Sequence, residues 1–468
     1  MTDDQASSRV IREHRWIAGF GHHLLVALVV ASVVAVLHWR GALGWLDAVM
    51  LSAAASVQAK ASWSPEGSGR HDEMPVVVMI GEALYEREFR QTSPLDREKL
   101  AQFLRTTLQR GERPPATLVI DLDLSPVPGD ERAQSKLDQA LGDLVRAGTH
   151  LLIPLPGRVE TSELQHLKFS WLQKVCSWNR PDKTAGVTLA LPQVREHFGR
   201  VVQYDTRQLG LGVVAAKPAR ADHLCERVRT DPEQWRKPFV STFFDARVFQ
   251  DGQGSLQPFN AHFFRRLDDN LVVADSLGVA ADTGGRTVFL GGAYDDKDRF
   301  LTPLDPAGSK IEGVAVHAAT WFSVMHPVDV KHGIETFLLD VLLGLLIGYL
   351  FGWTWGWYRM AQTTGPGSSP TRHYLTTRGL LLLNLAVFAL LIVLFMSLAA
   401  DYFYPRNYWV NPGPIILGVF VKFLIASHGQ DHASHHHAAD RRPRWGRWLD
   451  NGVTASIILA GIWAAIHH

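Results

Sequence analysis

The stretch "ATLVIDLDL" (116–124) decides the fold class: an unbroken apolar run, Leu118, Val119 and Ile120, ends on two carboxylates, Asp121 and Asp123. A half-buried strand alternates apolar and polar residues, whereas a run without alternation is the pattern of a strand covered on both faces, as in a parallel sheet. The same pattern recurs upstream in "VVVMI" (76–80) and downstream in "HLLIPLP" (150–156) and "RTVFLGG" (286–292). Helix-length segments separate these runs. Residues 94–110 carry Leu95, Leu100, Phe103, Leu104 and Leu108 as an apolar face, and further helices are expected near 131–147 and 312–325. Strands alternating with helices predict an α/β domain, a mostly parallel sheet flanked by helices. Residues 200–285 are less regular and read as an insertion or a sheet edge.

This pattern fills only the middle of the chain. The 468 residues are enough for two or three domains, and 47 basic against 46 acidic residues argue against a nucleic-acid partner. Apolar residues gather at the two ends. Five segments approach the roughly 20 apolar residues a helix needs to cross a hydrocarbon core of about 30 Å. They are 17–39, 336–358, 380–400, 409–427 and 451–467. The first contains "LLVALVVASVVAVLHW", is longer than the apolar core of a signal peptide and is followed by no cleavage motif, so it reads as an uncleaved anchor. Basic residues set the expected orientation. Arg9, Arg12 and Arg15 precede the first span, Arg359, Arg372 and Arg378 follow the second, and Arg441, Arg442, Arg444 and Arg447 precede the fifth. The 401–411 loop has only Arg406, offset by Asp401. The expected organisation has a cytoplasmic N-terminus (1–16), an extracytoplasmic domain (40–335), and cytoplasmic loops at 359–379 and 428–450. It describes a multi-pass inner-membrane protein: a periplasmic α/β domain plus an α-helical transmembrane bundle.

Within the second span, Gly344, Gly348, Gly352 and Gly356 recur at every fourth residue, with Asp340 one step earlier in the same row. Small residues at this spacing form a groove that admits close approach of another helix. The groove is expected to pack against another subunit, giving a homo-oligomer, or against its own bundle.

Polar groups at the carboxyl ends of parallel strands converge in one crevice, the usual ligand position in such sheets. This nominates Glu82 after the first strand, Asp121 and Asp123 at the second, and Asp295, Asp296 and Asp298 after the strand ending at Gly291-Gly292. Arg97 and His317 belong to the adjoining helices. Several carboxylates in one crevice could hold a divalent cation or a small cationic solute. The alternative gives them structural work: the aspartates cap loops, Arg97 pairs with one of them, and His317 packs under the sheet. The two cysteines, Cys176 and Cys225, either form a disulfide, which an oxidising compartment permits, or remain buried thiols. The cluster "DHASHHHAAD" (431–440), with His432, His435, His436 and His437, reads as a transition-metal site, a pH sensor or a solvated loop. There is no phosphate-binding glycine loop, nucleophile elbow or zinc-type pairing, so neither an enzyme nor a cofactor is expected.

The blocks "VVVMIGEALYE", "SPLDREKLAQFL", "ATLVIDLDLSP", "TVFLGGAYDDKDRFLTPLDPAG" and "EGVAVHAAT" occur in that order. Over roughly 40–427 the chain resembles the type-two CHASE family, a cyclase/histidine-kinase-associated sensory extracellular domain. The chain departs from that family at Gly81-Glu82, where an acidic pair is usual, and at "TSPLD", where a tryptophan-rich turn is usual. The resemblance implies a sensor with one helix before it and typically three after, followed by an output domain. Here the chain ends at "IWAAIHH", and the expected cytoplasmic pieces, about 16, 20 and 23 residues, are too short for a core. A membrane-anchored sensor or scaffold that signals in trans to a kinase, cyclase or caspase-like peptidase is therefore expected. The alternative is an oligomeric membrane effector, bilayer-perturbing or a gated channel, in a bacterial defence or conflict system. Its polar span residues would be Asp340, Asn384 and Lys422.

Overall fold

The computed structural model describes residues 74–108, 113–156, 162–179, 185–194, 196, 201, 203–230, 256–278, 282–302 and 310–330, with scattered positions between 28 and 51 and between 338 and 409. The chain divides into two compact units, one of Ala55–Asp329 and one of Met1–Ala54 with Val330–His468. The first of these contains the parallel sheet.

In chain order the unit begins with β1 (Val76–Ile80), α1 (Glu82–Arg87) and α2 (Arg97–Phe103), which runs on into a π turn at Leu104–Leu108. There follow β2 (Thr117–Asp121), α3 (Glu131–Arg146), β3 (His150–Pro154), α4 (Ser162–Cys176) and β4 (Val187–Ala190). The less regular region supplies β5 (Gln203–Asp205), α5 (Leu211–Ala216), α6 (Asp222–Thr230), β6 (Leu256–Pro258), α7 (Ala261–Arg266) and β7 (Leu271–Ala274). The unit closes with β8 (Thr287–Gly292), β9 (Arg299–Leu301), β10 (Lys310–Glu312) and α8 (Gly313–Met325).

The main sheet has the order β4-β3-β2-β8-β1-β7, and every pairing in it is parallel. The strands read as near-continuous apolar runs because helices cover the sheet: all of Val76–Ile80 is buried, as are Leu118–Ile120, Leu151–Ile153 and Val288–Leu290. The chain leaves β1, skips one position to β2, and continues outward to β3 and β4. It later returns through β7 on the far edge, and β8 fills the gap between β1 and β2. That gap is where the strand order changes direction, and it fixes where side chains at the strand ends can meet.

Local signals fix the helix ends. Asp96 caps α2 by accepting from the Glu98 and Lys99 amides. On α3, Leu137, Ala140, Leu141, Leu144 and Val145 form the buried face. That helix stops at Gly148, whose φ of 105° lets Thr149 N donate to Leu144 O and Gly148 N to Val145 O. A second contact layer is built by α8 and α5, which pack on each other; α8 lies against β8 and β1, and α5 against β2 and β3.

The expected transmembrane bundle is corrected by the structure. Among the described residues no helix is long and apolar enough to cross a membrane. The longest described helix, α3, has 16 residues. At 1.5 Å per residue it reaches about 24 Å, short of a hydrocarbon core of about 30 Å. Its exposed face is charged rather than apolar. The fold class shown is an α/β unit; among the described residues the expected bundle is not found, which goes against the expected multi-pass inner-membrane location. The segments 17–39, 336–358, 380–400, 409–427 and 451–467 lie, apart from isolated positions, outside the described residues. So do the flanking segments 1–16, 359–379 and 428–450, the glycine row with Asp340, and the histidine cluster.

Candidate functional site

The crevice forms at the carboxyl ends of β1, β2 and β8. Register places Asp121, the last residue of β2, beside Gly291, which in turn pairs with Met79 of β1. The two glycines that end β8 have a packing reason. A Cβ at Gly291 would lie 2.5 Å from Val314 Cβ, and one at Gly292 would lie 2.5 Å from Tyr294 Cε1. Without side chains there, α8 and the Tyr294 ring come down onto the end of the strand.

Beyond β8 the chain turns through a short 3-10 helix, Asp296–Asp298, capped by Asp295, whose Oδ1 accepts from Lys297 N at 2.9 Å. The antiparallel pair β9–β10 then returns the chain to α8, with Glu312 opposite Arg299. A Cβ at Gly313 would collide with the Asp298 carboxylate, so that carboxylate rests against the first turn of α8.

Three nominated residues meet here. Asp121 and His317 keep side-chain exposures of 10% and 5%, and Asp121 Oδ2 lies 3.7 Å from His317 Nε2. His317 Nε2 also lies 3.0 Å from the Pro192 carbonyl. Burial pushes His317 down to about 4, against the opposing pull of the Pro192 carbonyl and Asp298. The imidazole is therefore neutral at physiological pH and donates Nε2–H to Pro192, so its contact with Asp121 is not an ion pair. Burial pushes Asp121 up to about 7. Asp298 is also pushed up to about 7, by burial first and then by the neighbouring charge of Asp121. Two carboxyls removed from water beside one another resist ionising together, so the pair retains a proton near neutrality.

Aromatic rings border this pair. Tyr85 and Tyr294 stack with centroids 3.9 Å apart and planes 11° from parallel. Burial raises the Tyr294 phenol above its ordinary value, and the fields of Tyr85, Asp298, Asp295 and Asp121 act in the same direction.

The other nominated residues do not join the cluster. Arg97, 1% exposed, donates from Nη1 to the Asp123 carbonyl and from Nη2 to the Ser125 carbonyl, both at 2.7 Å, and so fixes the loop after β2. Asp123 turns outward: its Oδ2 accepts from Lys168 Nζ at 2.9 Å and its Oδ1 from Ser125 N at 2.9 Å. Burial raises its carboxyl, but Lys168 and Ser125 outweigh that and hold it below the ordinary value. Glu82 is exposed in the first turn of α1. Asp296 is 91% exposed and accepts from Arg299 Nη1 at 2.9 Å. Sequence reasoning passed over Tyr85, Tyr294 and Lys168. The two tyrosines have a signal, since each closely follows a glycine at the end of a strand or just past it.

Cys176, closing α4, and Cys225, within α6, form a disulfide with Cα atoms 5.2 Å apart. Among the described residues no group of three or more His, Cys, Asp or Glu side chains is arranged to hold a metal ion. What the crevice offers is a carboxyl pair that can exchange its retained proton for one positive charge. No family model matches the chain, and neither a curated protein nor a solved structure matches it.

Proposed function

We propose that the α/β unit is a sensory binding domain that takes a small cationic solute in the crevice above β1, β2 and β8. Its occupancy is passed to an output protein of the kinase, cyclase or caspase-like peptidase type. The observation that carries this reading is the Asp121 carboxyl with the half-buried Asp298 carboxyl beside it, at the point where the strand order reverses. The stacked tyrosines beside it suit an organic ammonium group, which gains from both carboxylate and aromatic neighbours. The ordered blocks that resemble the type-two CHASE domain support the sensory role. Binding is favoured over catalysis because burial lowers His317 to about 4, which makes it a weak base, and its Nε2–H is engaged by a backbone carbonyl.

Calorimetric titration of the full chain at pH 8 with methylammonium, 1,4-diaminobutane and Ca2+ tests the reading. An amine is expected to bind saturably and to lose about tenfold to hundredfold in affinity in Asp121→Asn, the value of a hydrogen bond to a charged group. Absence of binding by all three probes, or undiminished amine binding by the variant, would overturn it.

A further inference from the structure

The crevice bounds its ligand from two sides, one open to a cation and one with no place for an anion. On the first side, the Asp121 side chain is 10% exposed, and its oxygens keep accessible surface. Among the described residues no hydrogen-bond donor meets that carboxyl. His317 Nε2 stays 3.7 Å away and gives its hydrogen to Pro192. A largely buried acceptor without a partner is open to a donor that a ligand brings.

On the second side stands the start of α8. Val314, in its first turn, packs on Gly291, the strand neighbour of Asp121, so the helix start and the carboxyl border the same crevice. A helix start is where the anionic end of a ligand would dock, on free amides and the positive end of the dipole. Glu312 at the N-cap makes no side-chain hydrogen bond to those amides. Asp298 takes the position instead: a Cβ at Gly313 would lie 2.9 Å from its carboxyl carbon and 3.0 Å from Oδ2.

The basic residues nearby offer no other seat. Arg299 donates from Nη1 to Asp296 at 2.9 Å and from Nη2 to the Ala293 carbonyl at 3.1 Å, with its Nε 3.6 Å from Glu312. Lys297, on the same 3-10 turn, is exposed, where a solvated ion pair is worth little. His317 is neutral. Asp295 and Glu312 add their negative field at Asp298.

We propose, resting on the cation-binding reading above, that the crevice takes amines that carry no anionic group and turns away amino acids, and that Asp298 sets this choice by holding the start of α8. A ligand carboxylate would compete with Asp298 for the helix start and meet the field of Asp121, Asp295 and Glu312. A neutral group in the same place meets no such repulsion.

The probes 4-aminobutanamide and 4-aminobutanoate match in size, shape and ammonium group, and differ in the charge at the far end. Calorimetric titration of the full chain at pH 8 should show saturable binding of the amide, and binding of the carboxylate at least about tenfold weaker. In Asp298→Ala, which frees the helix start and removes a like charge, that gap should close by about tenfold. Asp298→Asn, which keeps the shape and drops the charge, serves the same comparison if the alanine chain does not fold. Equal affinity for the two probes, tighter binding of the carboxylate, no saturable binding of the amide, or an unchanged gap in a folded variant would overturn the proposal. A chain that binds methylammonium and 1,4-diaminobutane but does not separate the two probes keeps the crevice reading and loses this one. A chain that binds no amine loses both.

Discussion

Replacing Asp121 with asparagine removes the charge while keeping the shape, so it tests whether the crevice holds a reluctant carboxylate. In the unfolded chain this group ionises near 3.8, and in the folded unit burial raises it to about 7. That gap corresponds to about 4 kcal/mol, an upper bound for the stability lost when the folded protein must ionise it. Below pH 4 both states hold the proton and the carboxyl does not oppose folding. As pH rises from 4 towards 7 the unfolded chain releases its proton while the folded unit keeps it, and stability falls by about 1.4 kcal/mol per pH unit. Above 7 the penalty is constant. Asparagine has no such dependence. It also relieves Asp298, whose carboxyl is raised partly by the charge of Asp121. Urea unfolding followed by circular dichroism at pH 5, 6, 7 and 8 should therefore show Asp121→Asn gaining steadily on the parent as pH rises, with a plateau near neutrality. A stability difference that stays flat across this range, or one that runs the other way, refutes the buried-pair account.

Three further outcomes follow from the same geometry. If an amine displaces one retained proton, its affinity should rise about tenfold between pH 6 and pH 8, as linkage requires for a group titrating near 7; calorimetry showing no change would separate binding from the pair. Arg97→Met keeps an apolar stem but removes both donors to the Asp123 and Ser125 carbonyls, so thermal unfolding should reveal a loss of about 2–5 kcal/mol. An unchanged melting temperature would show that the loop after β2 is held by something else. The Cys176–Cys225 bridge spans a sequence separation of 49 residues, for which loop-closure entropy gives about 4 kcal/mol. The double replacement Cys176→Ser with Cys225→Ser should lower denaturant stability by about that amount, and a loss under about 1 kcal/mol would contradict the entropic account.

Much of the sheet is legible in the sequence because burial on both faces leaves a local mark. The apolar runs at 76–80, 116–124, 150–156 and 286–292 contain β1, β2, β3 and β8. The expected helices near 94–110, 131–147 and 312–325 contain α2 with its π turn, α3 and α8. Residues 200–285 read as irregular, and they supply the edge strand β7 along with the short elements β5, α5, α6, β6 and α7. Of β7 only Ala274 is buried, and the short elements run from three to nine residues, too few for a period to show. Hydropathy counted along the chain also favours a bundle of membrane spans, which the described helices, none longer than 16 residues, do not provide.

The sequence by itself determined that Asp121, Asp298 and His317 stand at the ends of strands or on the following helix, as five other candidates do. It had no means of choosing among them. Only the tertiary structure placed β8 between β1 and β2, brought α8 down on Gly291, and turned Asp298 onto Gly313 while Asp123 faced Lys168. The reason is physical. Strand and helix formation respond to neighbours a few residues away, whereas two neighbouring carboxyls that resist ionising together depend on strand order, on side-chain direction and on the water excluded by a helix from another part of the chain.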